Sequence, residues 1–458
     1  MLHPAARLPA ACLVASLSCA LIAQPAPRAP GAVPQRSEPV SPSVARRHPG
    51  FPARSGIVRA AGRTWADAGG EFYPLGATLF WALRGWKFER ARLERNLDFL
   101  AREGWDYVRI LGEVGWAGNE IDPRWDDYAQ VLGEFVDTAY GTYGLRTELT
   151  LIGGGTGTRP IDLARKVVPV LAPRTSKIMN LEVANEAFQN YPDEEALFEA
   201  LRHLRAHLPN LVAVTSPRGT PQATIATMKR YISSGATLAT VHLSRPYDAR
   251  EGAWRHVGLG WSYRGLPFPI AHNEPGGPRS SVAQYDQPIH LVMSRAVGIM
   301  SGIGAYVLHN GAGIAGRVDK RRDRPPNLWE VPRIGEIMRA LRRLDSHLPA
   351  GLGNGRHYST GAAGHPLPVT GRGAGTEPGH DVIRADAVDL GNRFVVMPIG
   401  VKGRLTMTAR EACTVEVVDP ATGEAFRQTL RAGEALQLVP QSLDPTGLGA
   451  FIIVGTRE

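Results

Sequence analysis

The chain has 458 residues, 43% of them hydrophobic and 21% charged, an ordinary globular composition able to bury a large domain and a smaller one. Its formal charge of +9 comes from 52 Lys and Arg against 43 Asp and Glu. The arginines are scattered rather than massed in blocks, so the charge reads as solubility and no nucleic-acid partner is expected.

Residues 1–23 have the pattern of a signal peptide: His3 and Arg7 precede an apolar stretch over 8–23 with small residues near its end. A membrane span needs ~20 apolar residues, so no stable span is expected and the protein should be secreted or periplasmic. Cys12 and Cys19 fall in that segment, which leaves Cys413 alone, without an intrachain disulfide. Residues 24–55, dense in Pro, Arg, Ser and Ala, predict a disordered tether.

From residue 56 strand and helix signals alternate. The first strand is expected over 72–80, and a helix over 88–103 with Leu93, Leu97 and Leu100 on one face and Gly104 as its stop. A second strand follows at 107–111. Asp122-Pro123 predicts the cap and first position of a helix running to about 140. The third strand covers 145–152 and is followed by Gly153-Gly154-Gly155 and a helix over 163–171. The fourth strand opens at Ile178, and Pro192 starts the helix that covers it. Strands five to eight are expected at 211–215, 238–243, 268–273 and 303–308, with helices over 287–300 and 334–344. The stretch between residues 243 and 267 is irregular. Eight apolar strands alternating with helices over 56–349 predict an α/β fold, a (β/α)8 TIM barrel.

Residues 350–380 are rich in Gly and read as a linker or long loop. Strands are then expected at 394–399, 405–408, 414–418, 434–439 and 451–454, with a hairpin turn at 419–424. Residues 381–458 are therefore a small C-terminal all-β domain, a sandwich. All nine Trp lie between Trp65 and Trp329, so this domain has no Trp for stacking on sugars and should pack on the barrel as a structural partner.

Two of the barrel strands end in the same dipeptide. The fourth delivers Asn185-Glu186 and the seventh Asn273-Glu274. A third Asn-Glu pair, Asn119-Glu120, lies in a Gly-rich loop and reads as a polar loop pair. Two carboxylates at strand ends of a barrel can flank a glycosidic bond, one protonating the leaving oxygen and the other attacking the anomeric carbon. Glu113 follows strand two and is a candidate substrate contact, while Trp81, Trp86 and Trp116 stand where a sugar could stack, with core or loop packing as the equal alternative for each. Glu148 and Glu182 lie within strands and would be buried network carboxylates if they face inward. His203 and His207 lack the Glu of a zinc-protease helix, and residues 153–158 have no P-loop Lys. No metal and no cofactor are expected.

The segment Leu-Glu-Val-Ala-Asn-Glu at 181–186 resembles the strand-four motif of clan A glycoside hydrolases, the cellulase and β-mannanase-like enzymes of family 5 and their relatives. The resemblance implies that Glu186 is the acid/base, Asn185 a contact to the sugar 2-hydroxyl, and Glu274 the strand-seven nucleophile. It also implies that Arg109, in Tyr-Val-Arg-Ile, keeps that nucleophile ionised. The sequence departs from the pattern at three strand ends. Gly153-Gly154-Gly155 stands where many members carry a His. His242-Leu-Ser lacks the usual nearby Tyr, though Tyr247 is close in sequence, and His309-Asn310-Gly311 replaces a Trp platform. His242 and His309 are accordingly expected at the substrate. The expected function is a secreted retaining β-glycoside hydrolase acting on an oligo- or polysaccharide. The alternative is a carbohydrate-binding barrel with weak or no catalysis, and a third reading has acidic polysaccharide meeting Arg109, Arg245 and Arg279.

Overall fold

The computed structural model describes residues 47–116, 118–218, 221–242, 263–275, 288–314, 327–370, 384–441 and 448–458. Three short antiparallel strands come first: β1 (Arg59–Ala61), β2 (Thr64–Asp67) and β3 (Gly70–Phe72). Eight parallel strands then follow: β4 (Leu75–Thr78), β5 (Tyr107–Glu113), β6 (Arg146–Ile152), β7 (Ile178–Ala184), β8 (Val212–Ala213), β9 (Ala239–Val241), β10 (Ile270–His272) and β11 (Ile303–Leu308). Their order is β8-β7-β6-β5-β4-β11-β10-β9, and the Thr237 N–H donating to Val212 O at 2.9 Å bridges the two ends. This is a (β/α)8 barrel. Every residue of these eight strands is buried, because helices cover one side and the packed interior the other, and this explains their nearly continuous apolar sequences.

The lead-in strands close the N-terminal mouth. Val58, Trp65 and Phe72 pack with Tyr107, Met179, Leu211, Leu238, Ala305 and Val307 in one buried cluster. Two glycines make room for its large rings: a Cβ on Gly304 would lie 2.6 Å from Trp65, and one on Gly76 2.3 Å from Tyr107. Residues 47–55, assigned by composition to the tether, instead clasp this end. Arg47 donates to Phe51 O at 2.7 Å and Gly144 O at 3.0 Å, and Arg54 pairs with Asp67, which in turn holds Arg146. Residues 1–46 lie outside the described residues.

Several elements differ from expectation for local reasons. The strand expected over 72–80 is split at Pro74, which has no N–H for the ladder, so Phe72 ends β3 and β4 starts at Leu75. The first helix is two, Ala82–Phe88 and Arg90–Arg102. Asp122-Pro123 makes a turn rather than a helix start: the Asp122 carboxylate accepts from Arg124 N at 2.8 Å, and the helix begins at Tyr128. Asp193 is a true cap, accepting from Ala196 N at 3.2 Å ahead of the helix Glu194–His207. Of the irregular stretch at 243–267, residues 243–262 lie outside the described residues. Among the described residues no helix is long and apolar enough to cross a membrane.

The C-terminal part is all β. Its strands are β12 (Arg356–Tyr358), β13 (Arg384–Asp389), β14 (Arg393–Lys402), β15 (Leu405–Thr408), β16 (Cys413–Val418), β17 (Ala425–Leu430), β18 (Ala435–Leu438), β19 (Leu448–Ala450) and β20 (Ile452–Arg457). The path β12-β13-β14-β20-β16-β17, with β19 paired to β14, forms one sheet, and β15 and β18 form a second. Residues 350–370, expected to be linker or loop, thus supply an edge strand and bury Tyr358, His365 and Leu367. Alternation along β14 places Phe394 and Val396 in the domain's own core. Val395, Met397 and Ile399 face the other way and join the barrel's core. The Gly400 N–H reaching Met293 Sδ at 3.3 Å, and Arg343 donating to Ala421 O at 2.8 Å, add polar ties between the two.

Candidate active site

The polar interior begins with Arg109 on β5, whose neighbours across the ladder are Thr78 on β4 and Glu148 on β6. The Arg109 side chain is fully buried, which is tolerable only because each arm finds a carboxylate or amide. One terminal nitrogen donates to Glu274 Oε1 at 3.0 Å. The other donates to Glu182 Oε2 and to Asn185 Oδ1, both at 2.8 Å. Glu148 Oε1 lies 3.5 Å from Nε. Burial works against the guanidinium charge, but the facing carboxylates, Glu182 and Glu274 foremost, more than offset it and hold Arg109 above its usual pKa.

Glu186 and Glu274 stand at the C-terminal ends of β7 and β10, three places apart around the ring. Glu186 is the residue where the strand turns into a short helix, Ala187–Asn190, and it takes the left-handed conformation with φ 42°. That backbone is uncommon for a residue with a Cβ and here aims the carboxylate over the barrel mouth. Its Oε2 accepts from Gln189 Nε2 at 3.0 Å, and Oε1 lies 3.2 Å from His242 Nδ1. The same His242 Nδ1 is 3.5 Å from Glu274 Oε2. Glu186, His242 and Glu274 each bring a polar atom within 4.8 Å of the others. His309, after β11, places Nε2 3.6 Å from Glu274 Oε2 while its Nδ1 is held by Thr78 Oγ1 at 2.9 Å. Glu274 is thus surrounded by Arg109, His242 and His309. Its side chain is 6% exposed against 29% for Glu186, so one carboxylate is sunk in donors and the other half open.

Six of the residues singled out in the sequence meet here: Glu186, Glu274, Asn185, Arg109, His242 and His309. Two do not. Trp81, a candidate for stacking on sugar with core packing as the alternative, is buried, donates Nε1–H to Ala312 O at 2.9 Å and lies under the Arg92 guanidinium. Glu113 was expected to touch substrate, but both its oxygens accept backbone N–H groups of the glycine loop, from Gly154 at 3.0 Å and Thr156 at 2.8 Å. That loop leaves no room for a side chain after strand three, since a Cβ on Gly153 would lie 2.6 Å from Glu113 O and one on Gly154 2.9 Å from Asn190 Oδ1. Trp86 is also core, donating to Glu134.

Sequence reasoning missed Phe80. Its ring lies 5.0 Å from the Arg109 guanidinium carbon, edge-on to His309 at 5.7 Å, and 6.1 Å from the half-buried Trp116. Nothing local in the sequence marks it, because its role comes from β4, β5 and β11 meeting. Arg245, Tyr247 and Arg279 lie outside the described residues.

No protein-family model and no curated protein matches the sequence. Solved structures do match the fold. A family 5 glycoside hydrolase from Bacteroides vulgatus ATCC 8482 superposes with a TM-score of 0.61 at 14% identity, over 87% of this chain and 93% of its own. The chain has the fold of a glycoside hydrolase. A second structure, described as a glycoside hydrolase, gives a TM-score of 0.59 at 12% identity over 88% of this chain and 97% of its own. Coverage of that extent requires more than the barrel, so the β-domain is part of the shared fold.

Proposed function

We propose that this protein is a retaining β-glycoside hydrolase acting on an oligo- or polysaccharide, with Glu274 as nucleophile and Glu186 as acid/base. The observation that carries this reading is the facing pair, Glu186 and Glu274, whose nearest polar atoms and those of His242 fall within 4.8 Å of one another. Retaining chemistry calls for carboxyl groups ~5 Å apart, whereas inversion needs a wider gap for water. The shared fold with glycoside hydrolases supports it.

Arg109 and the two histidines steady the charge on Glu274 before attack. Glu274 attacks the anomeric carbon as Glu186 gives its proton to the leaving oxygen. The charge on Glu274 is then consumed in the glycosyl ester, which favours Glu186 as a base toward incoming water. Asn185, fixed by its Oδ1 to Arg109, is placed to meet the sugar beside the bond that breaks. Trp116, half-buried and packed on Phe80, offers an aromatic surface for stacking a sugar ring. The pattern of residues 1–23 supports action outside the cytoplasm, which fractionation of expressing cells would check.

The test is hydrolysis of a panel of aryl β-glycosides and polysaccharides by the wild type beside Glu186→Gln and Glu274→Gln. Both variants are expected to fold and to lose activity by several orders of magnitude. Near-normal hydrolysis by Glu274→Gln would remove the assignment. Silence of the wild type, with sugar binding retained, would favour the carbohydrate-binding alternative.

A further inference from the structure

Arg109 faces three carboxylates in the barrel interior, and two of them are tied to it differently from the third. Glu182 accepts on both oxygens: Oε2 from Arg109 at 2.8 Å and Thr150 Oγ1 at 2.8 Å, and Oε1 from Thr240 Oγ1 at 2.6 Å. Glu274 accepts a 3.0 Å bond from Arg109. Glu148 Oε1 accepts from Asn273 Nδ2 at 3.1 Å and lies 3.5 Å from Arg109 Nε without a hydrogen bond to it, while Oε2 is buried without a partner. The groups facing Glu148 are Tyr107 and Arg109 from β5, Asn180 and Glu182 from β7, and Asn273 just after β10. Of these only Arg109 supplies positive charge, and Glu182 and Glu274 already claim it. A third full negative charge in this dry layer would leave it strongly unbalanced.

We propose that Glu148 is a positioning residue that works uncharged, so that Arg109 aims its terminal N–H groups at Glu274, Glu182 and Asn185, and that ionisation of Glu148 switches hydrolysis off. The inference rests on the glycosidase reading of Glu186 and Glu274. As a neutral acid, Glu148 leaves Nε without a strong partner and the guanidinium turned toward the nucleophile. As a carboxylate it competes for Nε–H through a charge-assisted bond and tilts the guanidinium away from Glu274. Burial, opposed by Arg109, pushes the Glu148 carboxyl up to about 8, so the switch falls on the alkaline side of neutrality.

The experiment follows the carboxylic-acid stretch in the infrared and the rate of hydrolysis across pH 6 to 10, in the wild type and Glu148→Gln. In the wild type an acid band should be present at neutral pH and fade in step with activity. At one pH unit above the midpoint about a tenth of the maximal rate should remain. Glu148→Gln should lack that band, and its profile, scaled to its own maximum, should hold several-fold more activity at that pH. Coincident scaled profiles, or a wild type with no acid band lost in the variant, would overturn the proposal. Should Glu148→Gln not fold, the infrared titration is repeated in Glu186→Gln, which removes the other carboxyl that the mechanism protonates; absence of an acid band at neutral pH there would overturn the proposal. A wild type that hydrolyses nothing at any pH defeats the glycosidase reading itself. The infrared band still reports separately whether Glu148 is protonated.

Discussion

Arg109 is the side chain on which the interior of the site turns, because removing it leaves Glu182 and Glu274 facing each other without their shared cation. Arg109→Ala should cost about 3–5 kcal/mol of stability, as stranding buried charge does, and should abolish turnover; melting curves and steady-state rates check both. Arg109→Lys keeps the charge but cannot span Glu274, Glu182 and Asn185 at once, so a fall in kcat/KM of roughly a hundredfold in a folded protein is expected. Glu148 makes a stability prediction that needs no substrate. Unfolded, the carboxyl releases its proton near 4.5; folded, it keeps it to about 8. Between those values the native state holds the extra proton, so raising pH favours unfolding, by about 1.4 kcal/mol per pH unit, and above the folded value the slope vanishes. Urea titrations of the wild type should show this loss and Glu148→Gln should lack it; identical slopes would mean that Glu148 is ionised throughout. At this scale the sequence was readable where a charged residue ends a strand, as at Glu186 and Glu274. It misled at Glu113 and Trp81, because the partners that turn those side chains away, Gly154, Thr156 and Ala312, sit on other elements.

Among the elements, the glycine loop after β6 shows how a site can be shaped by absent side chains. Gly154 and Gly155 take φ of +99° and +105°, and Gly115 donates its N–H to Gly154 O at 2.9 Å, so two loops touch backbone to backbone beside the barrel mouth. Glu113 fastens the arrangement with both oxygens. Glu113→Ala should cost about 1–3 kcal/mol, leaving one buried and one part-buried N–H group unmatched, and should raise KM more than it lowers kcat, because it disturbs the wall and not the reacting carboxylates. Equal KM values in the two proteins would show that the loop does not border bound substrate. The helix expected at Asp122-Pro123 illustrates the limit of cap reading. The same Asp can close a turn on Arg124, and the choice lies in how far the chain must travel before packing. Short strands such as β8 and β9 were placed correctly but drawn too long, since only the part that ladders with neighbours counts as strand.

Over the whole molecule, the β-domain is joined to the barrel by the side of β14 that its own core does not use. Val395, Met397 and Ile399, with Val418 and Ile452, belong to the barrel's core. Deleting residues 384–458 should therefore expose a broad apolar face and give an aggregated barrel, whereas Met397→Asp in the full chain should lower stability by a few kcal/mol, about the cost of burying an unpaired polar group, without emptying the site. Size-exclusion profiles and melting curves would check this; a soluble monomeric barrel would show that the domain is dispensable. The sequence by itself determined the barrel, the all-β tail and the two strand ends that carry Glu186 and Glu274, because hydrophobic period and strand-end position are local properties of the chain. Only the tertiary structure decided that Arg109 serves Glu182, Glu274 and Asn185 together, that Phe80 lies against it, that His242 stands between the two glutamates, and that Trp81 and Glu113 turn away. Each of those facts is a meeting of residues far apart in the chain, and hydrogen-bond partners in a closed ring of strands are set by how the ring closes.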